Sequence, residues 1–395
     1  MNKISILKLA LKSTLIAATT VAILLLGSLL PTPKSTLLEG SKLILAHAQF
    51  SDLFFRWHPQ TNTPYVDGRK TIVVDINAFD REDMPDLFDS IAKAQPYLVA
   101  MDVVYGQYAM TDSAVDKRLK ESIKKLPRLI LAEEVLTNTK PYQIRRSFFA
   151  QEVDAQGACV NLPYSILRYW QKEYRDSIEN EQEIRKDTVL PTFAAAIAKE
   201  LNIDIPDTRS SWMIDYSICE TKPLDSQDLK HMNWNYLKDQ IIIIGDVGDL
   251  RDTYVVPSSF NANMRMSGVM MHNQILQTIM AKRWFHKVSK VWLWIIIFIY
   301  LTLYLFGGKF ITTYISEHEN WKWIERRAKN FYKLTLTCVL IMIAYVVFWC
   351  GHAYIDVMAV ILTPIMLWLE KTFVSIYDTI VMFMNHTSIK KGKKV

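Results

Sequence analysis

With 395 residues, half of them hydrophobic, the chain is long enough for one sizeable core together with several apolar spans. The formal net charge of +6 is unevenly placed: Lys and Arg gather beside the apolar runs, which is a pattern of membrane orientation. No arginine-rich tract is interleaved with aromatics, so nucleic acid is discarded as a partner.

Residues 1–12 carry Lys3, Lys8 and Lys12, and residues 13–30 follow without a charge. Eighteen residues of helix reach roughly 27 Å, about the thickness of a bilayer core, and the lysines place the amino terminus in the cytoplasm. A cleavable signal peptide is the rival reading. The small-x-small triplet Ala46-His47-Ala48 lies too far past the apolar run for that, so an uncleaved anchor is expected. Pro31–Gly40 reads as a linker, Phe50–Pro59 (FSDLFFRWHP) as a short helix near the membrane, and Thr61–Gly68 as a turn-rich loop.

An alternation of strands and helices then begins. Lys70–Ile76, Tyr97–Val104 and Arg128–Val135 read as buried strands, with helices over Met84–Ala94 and Asp112–Lys125 between them. From Thr137 to Pro191 the pattern loosens into an insertion, with a short strand near Cys159–Leu162 and a solvated helix over the charged run Tyr169–Lys186. Leu190–Leu201 reads as a helix, Trp212–Tyr216 as a strand, and the four isoleucines Ile241–Ile244 as the last buried strand. Strands joined through helices of this length form right-handed βαβ units, so the expected fold is α/β, three-layer, with a mostly parallel sheet.

Three further apolar runs follow, at 291–306, 334–350 and 353–369. The connection 307–333 holds six basic residues (Lys309, Lys322, Arg326, Arg327, Lys329 and Lys333), and the basic tail 370–395 ends in SIKKGKKV. Both are therefore expected inside, giving four transmembrane helices in the bilayer and residues 31–288 outside.

In open parallel sheets, ligands lie beyond the carboxyl ends of the strands, often against a helix start. Asp75, Asp102, Glu133 and Asp246 stand at or near such ends. Asp246 also opens a loop containing Asp249, Arg251 and Asp252, after which Ser267-Gly268 starts a helix bearing His272. A rim of carboxylates would suit Mg²⁺ or Ca²⁺, or a general acid/base pair. Equally, such acids cap the helices that follow, Asp249, Arg251 and Asp252 can pair among themselves, and a lone histidine beside Met270, Met271 and Ile275 suits a hydrogen-bonded core position. The candidate ligand-facing set is thus Asp75, Asp102, Asp246, Asp249, Arg251, Asp252 and His272. No catalytic residue is assigned, and a divalent cation is the one cofactor left open.

Cys159 and Cys219 fall in the external portion, where a disulfide can persist, and their pairing is left open. Cys338 and Cys350 sit in a span without metal spacing. The chain holds no CxxC, HExxH, Gly-x-Ser-x-Gly, Walker or dinucleotide motif, and no kinase, cyclase or phosphodiesterase signature.

The order of these features resembles the second type of CHASE domain (cyclases/histidine kinases associated sensory extracellular) of bacterial membrane receptors. The likeness is carried by FSDLFFRWHP, by IVVDI at Ile72–Ile76, and by YLVAMDVVYG at Tyr97–Gly106. It continues in EIRKDTVLPTFAAAIAKE at Glu183–Glu200, and most strongly in LKDQIIIIGDVGDLRDTYVVP at Leu237–Pro257 with GVMMHNQILQTI after it. Asp246-Val247 departs from the small pair usual after the strand glycine, and the family's cytoplasmic output domain is absent from the sequence.

The resemblance implies a non-enzymatic, multi-pass sensor of the bacterial inner membrane. It would receive a small-molecule or protein signal and hand it to a cytoplasmic or membrane signalling partner, with homo-oligomerisation open. Two other classes remain: a membrane-anchored enzyme with a metal-assisted hydrolytic site on the acidic rim, and a structural envelope module that docks another protein.

Overall fold

The computed structural model describes residues 3–29, 49–57, 61–106, 113–136, 143–162, 167–176, 179–180, 183–184, 188–207, 211–218, 221–256, 265–317, 321, 324–357 and 360–361. The chain divides into two compact units, one of Ser51–His286 and one of Met1–Phe50 with Lys287–Val395. Its main elements begin with α1 (Lys3–Leu29), α2 (Phe50–Trp57), β1 (Thr71–Asp75), α3 (Met84–Lys93) and β2 (Leu98–Met101). Next come α4 (Ser113–Ile123), β3 (Leu129–Leu136), β4 (Gln143–Arg146), β5 (Ala155–Cys159) and α5 (Phe193–Glu200). The last are β6 (Ile241–Gly245), β7 (Thr253–Val255), β8 (Arg265–Ser267), α6 (Gly268–Met280), α7 (Lys290–Ser316) and α8 (Glu325–Gly351).

The α/β unit is built on β6. Four consecutive isoleucines are tolerated only where both faces of a strand are covered, and Ile241–Ile244 are all fully buried. β6 lies between β1 and β2, parallel to both, in registers running from Thr71↔Ile241 to Asp75↔Gly245 and from Ile241↔Leu98 to Ile244↔Met101. β3 continues the parallel sheet beyond β2, and β5 continues it beyond β3. β4 is the antiparallel exception, pairing with the end of β3.

The connections β1 to β2 and β2 to β3 step in one direction along the sheet, and the return to β6 steps back. With right-handed crossovers, that reversal moves the helices to the opposite face. Ile72, Val74, Val99, Met101, Ile242 and Ile244 accordingly pack under α3 and α4. Val73, Leu98, Ala100, Ile130, Ile241 and Ile243 pack under α5 and α6. Helices cover both faces of a mostly parallel sheet.

Every residue of α6 is buried, including its polar ones. Gln274 Nε2 donates to Asp215 O at 2.7 Å, and Gln277 Nε2 to Thr221 Oγ1 at 2.6 Å. These bonds give both amide N–H groups a partner in the core, while Gln277 Oε1 has none among the described residues. The Asp215 carboxylate, itself fully buried, is bridged by Arg283 at 2.6 Å and by Ser217 Oγ at 2.6 Å.

The charged run expected to be one solvated helix is instead a series of short strands: Tyr169–Trp170, Glu173–Asp176, Glu179–Asn180 and Glu183–Ile184. Large aromatics within the run favour strand packing: Trp170 lies across from Trp212 and Tyr174 from Leu190, while the last two segments pair with each other. The FSDLFFRW segment is a helix, as expected, and it is docked on the α/β unit. Asp52 forms a shielded ion pair with Arg168 at 2.8 Å, Phe54 is fully buried, and Phe55 meets Tyr216 and Phe285 edge to face.

In the other unit, two helices are long and apolar enough to cross a membrane, Lys290–Ser316 and Glu325–Gly351. Four spans were expected. α1 is a helix of 27 residues, whereas the fourth segment opens with a short strand, Ala353–Tyr354, and lies mostly outside the described residues. Both described spans run well into the expected connection 307–333, because nothing in Gly307–Ser316 or Glu325–Lys333 breaks a helix apart from Gly307-Gly308. That glycine pair is used for packing: a Cβ on Gly307 would lie 2.1 Å from Tyr332 Cζ, and Tyr332 donates to Leu303 O at 2.9 Å. Ala17, Ile297, Tyr300, Leu301 and Val360 form the interior of this unit, while Val291, Trp292, Ile299, Leu334 and Met342 point outward.

Candidate functional site

Because β1, β6 and β2 are parallel neighbours, their carboxyl ends share one edge. The register sets Asp75 beside Gly245, and Asp102 N donates to Ile244 O at 2.8 Å. Asp75, Asp246 and Asp102 therefore do come together as a rim. Two glycines make the edge compact. A Cβ on Gly245 would lie 2.8 Å from Val269 Cβ, so only glycine lets the strand end pass the first turn of α6. A Cβ on Gly268 would lie 2.1 Å from Asp252 Oδ2, so the start of α6 accepts that carboxylate against its N-terminus.

Most of the rim carboxylates are occupied by backbone N–H groups. Asp75 Oδ1 accepts from Asn77 N and Val247 N, each at 3.0 Å, and ties the two loops that follow β1 and β6. Asp246 Oδ1 accepts from Gly248 N at 2.8 Å and Asp249 N at 3.0 Å. Asp249 holds Arg251 through its backbone N at 2.9 Å and its guanidinium at 3.1 Å, with the Arg251 side chain 92% exposed. That ion pair keeps the Asp249 carboxyl below its ordinary value, first through the Arg251 side-chain hydrogen bond. Glu133 lies away from this group, in an ion pair with Arg146 of β4 at 2.6 Å.

Asp102 is different. Its carboxyl has no hydrogen-bond partner among the described residues, and its pKa is pushed up to about 8, first by burial and then by the negative charge of Asp252. Asp252 is also raised, first by burial, with a hydrogen bond from Tyr254 acting against it. The two form a desolvated acid pair in which one proton is retained near neutrality. Among the described residues, no three His, Cys, Asp or Glu side chains are grouped to hold a metal ion.

His272 is not on this rim. It is 2% exposed, one turn into α6, with Nε2 3.2 Å from Val160 O and its ring 5.1 Å from that of Phe193. Burial pushes its pKa down to about 4, so the ring is neutral. It lines a cavity of about 370 Å³ with Asn161, Tyr169, Trp170, Tyr174 and Thr192. Sequence reading passed over these residues because all but Thr192 fall in the loosened segment. The one signal was the pair Tyr169-Trp170 with Tyr174 inside a charged run, where solvated helices rarely place three large aromatics. Cys159 is a free, buried thiol 3.4 Å from Asn161 Oδ1, and Cys219 lies outside the described residues.

Residues 19–306 match the family model of the CHASE2 domain. No curated protein and no solved structure matches the chain.

Proposed function

The chain belongs to the CHASE2 domain family, whose members are sensory domains, and from that premise we propose that it is a multi-pass sensor of the bacterial inner membrane. Ser51–His286 is the extracytoplasmic receiving unit, and α1, α7, α8 and the segment 353–369 are its four spans. A signal received outside is passed through the spans to a signalling partner. The observation that carries this reading is the family match over 19–306, which takes in the whole α/β unit and runs into α7. The outward-facing Val291, Trp292, Ile299, Leu334 and Met342 support lipid contact along α7 and α8.

A metal-assisted hydrolase on the acidic rim is less well supported. Asp75, Asp246 and Asp249 already accept backbone N–H groups and Asp252 accepts from Tyr254, which leaves Asp102 as the uncommitted carboxyl among the described rim residues. Affinity capture of the full-length protein from membranes of its own cells, followed by mass spectrometry, tests the sensor reading. A co-purifying histidine kinase or nucleotide cyclase supports it. Turnover of a phosphoester by the purified protein, lost in Asp102→Asn, would replace it with the enzyme.

A further inference from the structure

The cavity lined by His272 lies on the α5–α6 face of the sheet, not at the acidic rim. Its walls come from α6 (His272, Ile275), from the start of α5 (Thr192, Ala194), from Asn161 after β5, and from the aromatic segment 169–174. Its volume of about 370 Å³ lies at the lower end of small-molecule sites, which span roughly 300–1,000 Å³. Among the described residues that line it, none carries a full charge: His272 is the one titratable group other than tyrosine, and burial keeps it neutral. A charged ligand would thus be desolvated without a counter-charge.

Two of the polar groups around the cavity are committed elsewhere, while the Trp170 indole N–H has no partner among the described residues. Asn161 donates to Val135 O at 2.9 Å and accepts from Val135 N at 2.6 Å, and Thr192 Oγ1 donates to Gln171 O at 2.7 Å. His272 is committed through one nitrogen only. Val160 O can only accept, so Nε2 carries the proton and Nδ1 keeps a lone pair. That Nδ1 has no hydrogen-bond partner among the described residues. The ring therefore offers one acceptor, held in place by the Val160 carbonyl at Nε2 and by the tilted Phe193 ring 5.1 Å away.

Resting on the sensor reading, we infer that this cavity is the signal-binding site and takes an uncharged aromatic molecule carrying one hydrogen-bond donor. Tyr169, Trp170 and Tyr174 supply aromatic walls for the ring, and His272 Nδ1 receives the donor. Specificity comes from both: an analogue without the donor leaves a buried acceptor unpaired, and an anion meets no cation.

The test uses full-length protein in nanodiscs labelled with 5-fluorotryptophan, with the Trp170 resonance assigned from Trp170→Phe. The probes are 2-naphthol, its methyl ether and 2-naphthoate. Expected are a saturable shift of the Trp170 resonance with 2-naphthol, at least tenfold weaker binding of the ether, and no shift with naphthoate. Ala194→Leu, which fills the cavity, should abolish the naphthol response while the other tryptophan resonances stay in place. Ile275→Phe fills it from the opposite wall and serves if Ala194→Leu does not fold. A Trp170 resonance unmoved by naphthol, moved equally by naphthoate, or still responsive in a folded cavity-filled variant overturns the assignment. Partner capture from membranes, which needs no naphthol, reports on the sensor reading separately.

Discussion

Asp102→Asn isolates the least satisfied group of the sheet edge. In the unfolded chain this carboxyl ionises near its ordinary value of 3.8, whereas in the fold it holds its proton to about 8. At pH 7 the fold therefore keeps a proton that water would remove, across about three pH units at 1.36 kcal/mol each, or on the order of 4 kcal/mol. Asp102 keeps part of its surface in water, and the asparagine amide brings donors of its own to satisfy at about 1–3 kcal/mol. The net expectation is a stabilisation of about 1–3 kcal/mol at pH 7.

The sign follows from proton counting. Between roughly pH 4 and pH 8 the native state binds more protons at this site than the unfolded state, so wild-type stability falls as pH rises through that window. The variant removes the slope. Urea unfolding of the full-length protein in nanodiscs at pH 4.5, 6 and 7.5, followed by tryptophan fluorescence, reads it directly. Asp102→Asn should gain stability at pH 7.5 and gain nothing at pH 4.5. An equal loss at both pH values, or a wild-type slope that survives the substitution, would refute the reasoning.

Arg168→Met leaves Asp52 shielded without its partner and should cost about 3–5 kcal/mol, with much of that recovered when Asp52→Leu is added; thermal melts of the two variants decide it. Gly268→Ala drives a methyl group into the Asp252 carboxylate and should lower the melting temperature, whereas in an Asp252→Ala background it should be nearly neutral. Additive losses in that double-mutant cycle would mean the two positions are not coupled. Asp75→Ala removes the acceptor that ties Asn77 N to Val247 N and should cost about 1–3 kcal/mol, with faster hydrogen exchange at both amides as the specific readout.

The parallel core was legible because its strands are short apolar runs at regular spacing, and Ile241–Ile244 could lie nowhere except between two other strands. The three acids of the rim were legible for the same reason: strand ends in a parallel sheet share one edge. What the acids do there was not. A carboxylate that ties loops, like Asp75, and one that stays unpaired, like Asp102, have the same letter, and the difference is made by backbone amides distant in sequence. Of the two readings of His272, the hydrogen-bonded core position holds and the place on the rim does not: one helical turn carries it onto the sheet face, against Val160 and Phe193. Tyr169–Lys186 failed as a helix because its charge pattern outweighed its aromatics, and the partners that make it strand, Trp212 and Leu190, lie outside any local window.

The claim that residues 51–286 form an external sensing unit is tested most directly by topology reporters fused after residues 150 and 388 of the otherwise intact chain. The account predicts an external signal from the first fusion and a cytoplasmic signal from the second, in keeping with an even number of spans between the amino terminus and the tail. A cytoplasmic signal after residue 150 would contradict an external sensor, and an external signal after residue 388 would contradict the four-span arrangement.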